Sequence, residues 1–68
     1  MKILIIEDEH KLSDSIKTYL EGQHYLCEQA FNFNDAKMRA GSYDYDCVLL
    51  DLMLPGGDGL DILREIRK

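Results

Sequence analysis

No apolar run in these 68 residues approaches the ~20 needed for a membrane-spanning helix, although 46% of them are hydrophobic. A soluble domain is expected. The apolar core of ~7–15 residues and small-residue cleavage site of a secretory signal are also absent, because Met1-Lys2-Ile3-Leu4-Ile5-Ile6 turns acidic at once. The expected location is cytoplasmic. Cysteine is scarce, and Cys27 and Cys47 stand too far apart for a CxxC metal or redox motif, so both read as free thiols. Basic residues are outnumbered, 8 against 13 acidic, giving a net charge of −5. Such a balance argues against a nucleic-acid surface, which needs clustered Lys and Arg to displace phosphate counterions. The one local basic cluster, Arg64, Arg67 and Lys68, suits the compensation of a helix dipole. With no repeat, low-complexity run or linker, residues 1–68 form one small unit, burying only roughly 60% of its unfolded surface.

Ile3-Leu4-Ile5-Ile6 is short, apolar and rich in β-branched residues, the pattern of a strand covered on both faces. Leu12, Ile16, Tyr19 and Leu20 recur at three- and four-residue steps, predicting an amphipathic helix over residues 10–21 that Gly22 ends. Residues 25–31 begin with β-formers and turn polar at Glu28-Gln29, which suits an edge strand. Asn32 and Asn34 are turn and cap residues ahead of a short helix over residues 35–40, with Gly41 as its stop. Cys47-Val48-Leu49-Leu50 repeats the first strand's pattern and is closed by Asp51. Pro55-Gly56-Gly57 forces a turn, after which Asp58 can cap a third helix with Leu60, Leu63 and Ile66 on its apolar face and Ile62 flanking. Strand and helix alternate three times, so the fold class is α/β: a parallel sheet of right-handed βαβ units.

Glu7 and Asp8 follow the first strand, and Asp51 ends the third. In a sheet of order 2-1-3 these two strands are neighbours at the switch point where open parallel sheets bind ligands. Clustered carboxylates repel unless a cation or protons neutralise them, and an all-oxygen set that keeps waters on the metal suits Mg²⁺. Spacing alone leaves a second reading open, in which the three acids are solvated strand ends and helix caps.

The surrounding residues carry more. Ile3-Leu4-Ile5-Ile6-Glu7-Asp8-Glu9 resembles the opening strand and acidic pair of the receiver domains of bacterial two-component response regulators. Val48-Leu49-Leu50-Asp51-Leu52-Met53-Leu54-Pro55-Gly56-Gly57-Asp58-Gly59 resembles their phosphorylation-site strand and loop. The resemblance spans the chain, and both motifs at this separation make a specific signal. It implies a flavodoxin-like receiver half with three helices, in which Asp51 accepts a phosphoryl group from a histidine kinase. Glu7, Asp8, Asp51 and the backbone carbonyl of Met53 would hold Mg²⁺, with Pro55 and Gly59 shaping the loop. The module is a phosphoacceptor rather than an enzyme, and the regulators it most resembles carry a DNA-binding output domain and regulate transcription.

A complete receiver continues past residue 68 through strands that supply a Ser or Thr and a Lys to the phosphoryl group. On that basis the chain is expected to be the N-terminal half of its domain, truncated after the third helix, with slow phosphorylation. Lys2, Lys11, Lys17, Lys37 and Lys68 then read as surface charges. Its third strand, Cys47, Val48, Leu49 and Leu50, would offer an open edge to a second copy, as a homodimer or by exchange of elements. A competing reading follows: a structural, self-associating fragment that is not phosphorylated. His10, just after the acids, reads as an ordinary surface histidine rather than a ligand. His24 reads as a turn residue, and Tyr43 and Tyr45 as packing groups. A small Mg²⁺-dependent hydrolase is disfavoured by the lack of a general base.

Overall fold

A computed structural model describes residues 1–42, 44–51, 56, 57, 60, 62 and 64. Its elements are β1 (Lys2–Ile6), α1 (His10–Gly22), β2 (Leu26–Ala30), α2 (Phe33–Ser42) and β3 (Cys47–Leu50). The strands form a sheet that is parallel, as the alternation of elements predicts, and has the expected order β2-β1-β3. Ile3 pairs with Cys27 on one side and Cys47 on the other, while Ile6 pairs with Ala30 and Leu50.

Central position explains the unbroken apolar run of β1. Ile3, Leu4, Ile5 and Ile6 are each at most 2% exposed, so neither face of the strand has room for a polar side chain. Burial of each contributes roughly 1.5–3 kcal/mol relative to an exposed position. On one face Leu4, Ile6 and Ala30 pack with Ala36 of α2 and with Ile62. The other face of β1 and β2 is covered by α1, where Gln29 donates to Ser13 Oγ at 2.9 Å and to Asp14 Oδ1 at 2.8 Å. Ser13 is fully buried, and this hydrogen bond satisfies it where an unpartnered hydroxyl would be costly. Both cysteines are free and half-buried.

Three sequence expectations need correction. The inward face of α1 is Ser13, Ile16, Lys17 and Leu20, whereas Leu12 and Tyr19 are 45% and 68% exposed. A small serine allows the helix to approach β2, and the apolar spacing that includes Leu12 and Tyr19 points to a stripe beside the true contact. Gly22 lies inside the last turn of α1, and the reversal is made by Gln23, whose N–H bonds to Leu20 O at 3.0 Å, and by His24 at φ 70°. Neither Asn34 nor Gly41 bounds α2: both lie within it, and Asn32 alone caps it, accepting from Asp35 N–H at 2.8 Å.

The expected third helix lies mainly outside the described residues, as do Asp58, Leu63 and Ile66. Leu60, Ile62 and Arg64 have helical backbone. Of these, Ile62 is fully buried and Leu60 is 45% exposed, so the expected flanking position enters the core and Leu60 is largely outside it.

Candidate metal centre

The carboxyl ends of β1 and β3 are tied together by backbone. Asp51 N–H donates to Ile6 O at 2.9 Å, and on the opposite side of β1 Glu7 N–H donates to Ala30 O at 3.1 Å. These bonds hold the chain where it leaves the sheet, so the side chains of residues 7, 8 and 51 emerge at one end of adjacent strands. One carboxylate oxygen from each of Glu7, Asp8 and Asp51 lies within 4.8 Å of the other two. Glu7 and Asp51 are half-buried and Asp8 is exposed; among the described residues no histidine or cysteine joins them.

The local chain has features that steady this cluster. Glu7 Oε2 accepts from the Glu9 N–H at 3.1 Å, closing the turn into α1. That hydrogen bond draws the Glu7 pKa down, but desolvation, the Asp8 carboxyl group and the charge of Asp51 outweigh it, and the net shift is upward. A carboxylate in such surroundings is incompletely compensated, which is the electrostatic condition for taking up a cation. The donor set is entirely oxygen, hard and multiply charged, and suits Mg²⁺ or Ca²⁺ with water completing the shell. Beside it runs a cleft of about 240 Å³ lined by Ile5, Glu7, Ile16, Leu49 and Asp51.

Met53 and Pro55 lie outside the described residues, as does Gly59. His10 stands apart from the acids: its ring stacks on Phe31 with centroids 3.9 Å apart and planes 5° from parallel. Sequence periodicity gave Phe31 no role beyond the end of a strand, and only the juxtaposition of the loops after β1 and β2 brings the two rings together. Tyr45, expected to be a packing residue, does pack on the core and also donates to Glu28 Oε1 at 2.6 Å. Lys2 is more than a surface charge, pairing with Glu28 Oε2 at 3.4 Å and lying 5.2 Å from the Tyr45 ring centroid.

Comparison with known proteins places this geometry in context. Residues 3–68 match the family model described as the response regulator receiver domain. The transcriptional regulatory protein ResD of Bacillus subtilis (strain 168) is 39% identical over 67 residues, which are 98% of this chain and 28% of that protein. The chain spans less than a third of the length of the curated relatives it matches. Among solved structures, the response regulator TrrA of Thermotoga maritima in complex with Mg²⁺-BeF is 35% identical with a TM-score of 0.88. That match covers 97% of this chain and 57% of TrrA. A response regulator of Burkholderia pseudomallei with a phosphorylated aspartic acid, calcium ion and citrate is 26% identical, with a TM-score of 0.88, covering 96% of this chain and 38% of that one.

Proposed function

We propose that this chain, which belongs to the response regulator receiver domain family of two-component signalling, accepts a phosphoryl group on Asp51 from a histidine kinase. The observation that carries this reading is the gathering of Glu7, Asp8 and Asp51 within 4.8 Å at the switch point of the sheet. Glu7, Asp8 and Asp51 would hold Mg²⁺, with the Met53 carbonyl as a further ligand; bound there, the cation neutralises charge on the phosphoryl oxygens. An Asp51 oxygen attacks phosphorus in line as the P–N bond of the donor phosphohistidine breaks, and the electron pair returns to the imidazole. The Asp51 N–H bond to Ile6 O holds the nucleophile's backbone during this step. In this reading the chain is a phosphoacceptor rather than an enzyme in its own right. By likeness to ResD, a transcriptional regulatory protein, the parent acts in transcription; a cytoplasmic place is part of the same proposal.

Residues 1–68 then form part of a receiver domain. Among the described residues β3 is paired along its β1 side alone, and Leu49 on it is 39% exposed. When these residues are produced by themselves, the edge Cys47, Val48, Leu49 and Leu50 pairs with a second copy, which sedimentation would register as a concentration-dependent dimer.

Intact-mass analysis after incubation with Mg²⁺ and acetyl phosphate tests the main reading. One phosphoryl adduct is expected on the chain and none on Asp51→Asn or Asp51→Ala. An adduct that persists in both variants would move the acceptor elsewhere, and no adduct on the unaltered chain would remove the activity from it.

A further inference from the structure

The strand that carries Asp51 has little in its own side chains to fix where it sits along its neighbour. Ile3-Leu4-Ile5-Ile6 runs beside Cys47-Val48-Leu49-Leu50, and neither run alternates polar with apolar residues. Register is strongly specified where the two faces of a strand differ and weakly where they do not. It nevertheless decides the site. A parallel strand rises about 3.3 Å per residue, so a slip of one residue would move Asp51 that far along the sheet and turn its side chain to the other face. Glu7, Asp8 and Asp51 have carboxylate oxygens within 4.8 Å of one another, a spacing that such a shift would not preserve.

A slip towards the amino end is opposed by Asp51 itself, whose carboxylate would take the place of Leu50 opposite Ile6 and against the core. A slip towards the carboxyl end has to be stopped from the other end of β3, and two side chains stand there. Asp46 Oδ2 accepts from the Lys2 N–H at 2.7 Å while the Asp46 N–H donates to Lys2 O at 2.8 Å, so residue 46 grips β1 twice at one residue. Tyr45 Oη donates to Glu28 Oε1 at 2.6 Å, which takes it across β1 to β2, since the sheet order is β2-β1-β3. Glu28 is itself fixed in the sheet, paired with Leu4 in the ladder and with Lys2 Nζ at 3.4 Å. From Asp46 the chain runs through β3 directly to Asp51, whose N–H bonds to Ile6 O at 2.9 Å.

We propose that Asp46 and Tyr45 are positioning residues for the acceptor site, pinning the register of β3 from the end remote from the chemistry so that Asp51 stands beside Glu7 and Asp8. The link to phosphorylation rests on Asp51 being the acceptor; the register does not. Asp46 is exposed, so it acts through its hydrogen bonds and not by packing. Loss of one such bond raises the ratio of slipped to native register about fivefold, and loss of both about 25-fold. Only the share of chains in register binds metal or takes a phosphoryl group, so Mg²⁺ affinity and labelling rate fall by one common factor.

The test compares the unaltered chain with Asp46→Ala, Asp46→Asn, the double variant Asp46→Ala with Tyr45→Phe, and Ala36→Gly, which weakens α2 without removing a hydrogen bond of β3. Cross-strand NMR contacts between β1 and β3 report the register, titration calorimetry the Mg²⁺ affinity, and intact mass the rate of Asp51 labelling by acetyl phosphate. The unaltered chain should show the register of Ile3 with Cys47 alone. The double variant should show a second, displaced set of contacts, with affinity and labelling each lower by about twofold or more and both in proportion to the share left in register. Should the double variant not fold, Asp46→Ala, which leaves the core untouched, carries the same comparison with a smaller effect. Asp46→Asn keeps an oxygen that accepts from the Lys2 N–H and should restore register and affinity, whereas Ala36→Gly should lower the melting temperature and leave both alone. A single register with unchanged affinity in the double variant would overturn the proposal, as would Asp46→Asn behaving like Asp46→Ala. An unaltered chain that takes no adduct would overturn the acceptor reading alone, because register and Mg²⁺ affinity still decide this inference.

Discussion

The two flanks of this small sheet treat charge in opposite ways. Between β2 and α2, opposite charges are matched: Glu28 is approached by Tyr45 Oη at 2.6 Å, Arg39 Nη1 at 3.3 Å and Lys2 Nζ at 3.4 Å. Arg39 also reaches Asp35 Oδ1 at 3.1 Å within its helix. The Glu28 pKa is lowered, first by the tyrosine hydrogen bond and then by the two cations, against opposing desolvation. At the carboxyl ends of β1 and β3 three acids of one sign meet instead, and the Glu7 pKa rises. A net charge of −5 is thus not spread evenly: beside Glu28 opposite signs meet, whereas Glu7, Asp8 and Asp51 bring like charges together.

Breaking the matched flank should have the largest effect on stability. Glu28→Ala leaves Arg39, Lys2 and the Tyr45 hydroxyl without their common acceptor, and chemical denaturation should register a loss of about 1–2 kcal/mol, limited by the 36% exposure of the Glu28 side chain. Because Glu28 titrates lower in the folded chain, its contribution is present above the unfolded carboxylate pKa and fades as acid protonates it. The wild-type advantage over the variant should therefore narrow below about pH 4. Tyr45 gives the alkaline counterpart. Desolvation and then the Glu28 hydrogen bond push its pKa up to about 12 from 10.0. The folded chain keeps a phenol proton that the unfolded chain has released, so stability should decline as pH rises from 10 to 12, and Tyr45→Phe should flatten that decline.

At the acidic end the sign reverses. Glu7→Gln removes one of three mutually repelling acids and should raise metal-free stability by on the order of 1 kcal/mol, while reducing Mg²⁺ affinity. With excess Mg²⁺ the unaltered chain gains stability by mass action and the variant gains less, so the order of their melting temperatures should cross as metal is added. A Glu7→Gln chain less stable than the parent without Mg²⁺ would show that this end is not electrostatically in excess.

How far the sequence reveals these features depends on whether they are local. Period and residue type mark β1 and β3 to within a residue; continuous apolarity accompanies burial on both faces in β1, whereas β3 is only half-buried, with Leu49 39% exposed. The acids Glu7, Asp8 and Asp51 are legible because a parallel sheet of order 2-1-3 brings those strand ends together. The matched flank is not, since Lys2, Glu28, Arg39 and Tyr45 come from four separate segments and each by itself reads as surface or packing. The inward face of α1 is also hidden: a buried Ser13 bonded to Gln29 has no hydrophobic signature, and exposed Leu12 and Tyr19 supply a misleading one.

The smallest expected effect is the control that both flanks should ignore. Gly22 lies in the last turn of α1, and a Cβ added there would meet nothing within 4 Å. Alanine at this site costs no contact and restricts the unfolded backbone, so Gly22→Ala should stabilise the chain by roughly 0.5–1 kcal/mol. Since no charge changes, the gain should be the same at pH 4, 7 and 10 and the same with or without Mg²⁺. A gain that varied with Mg²⁺ would mean that fraying of α1 reaches its other end, where Glu9 N–H bonds to Glu7 Oε2, and that the two flanks are coupled through the helix rather than independent.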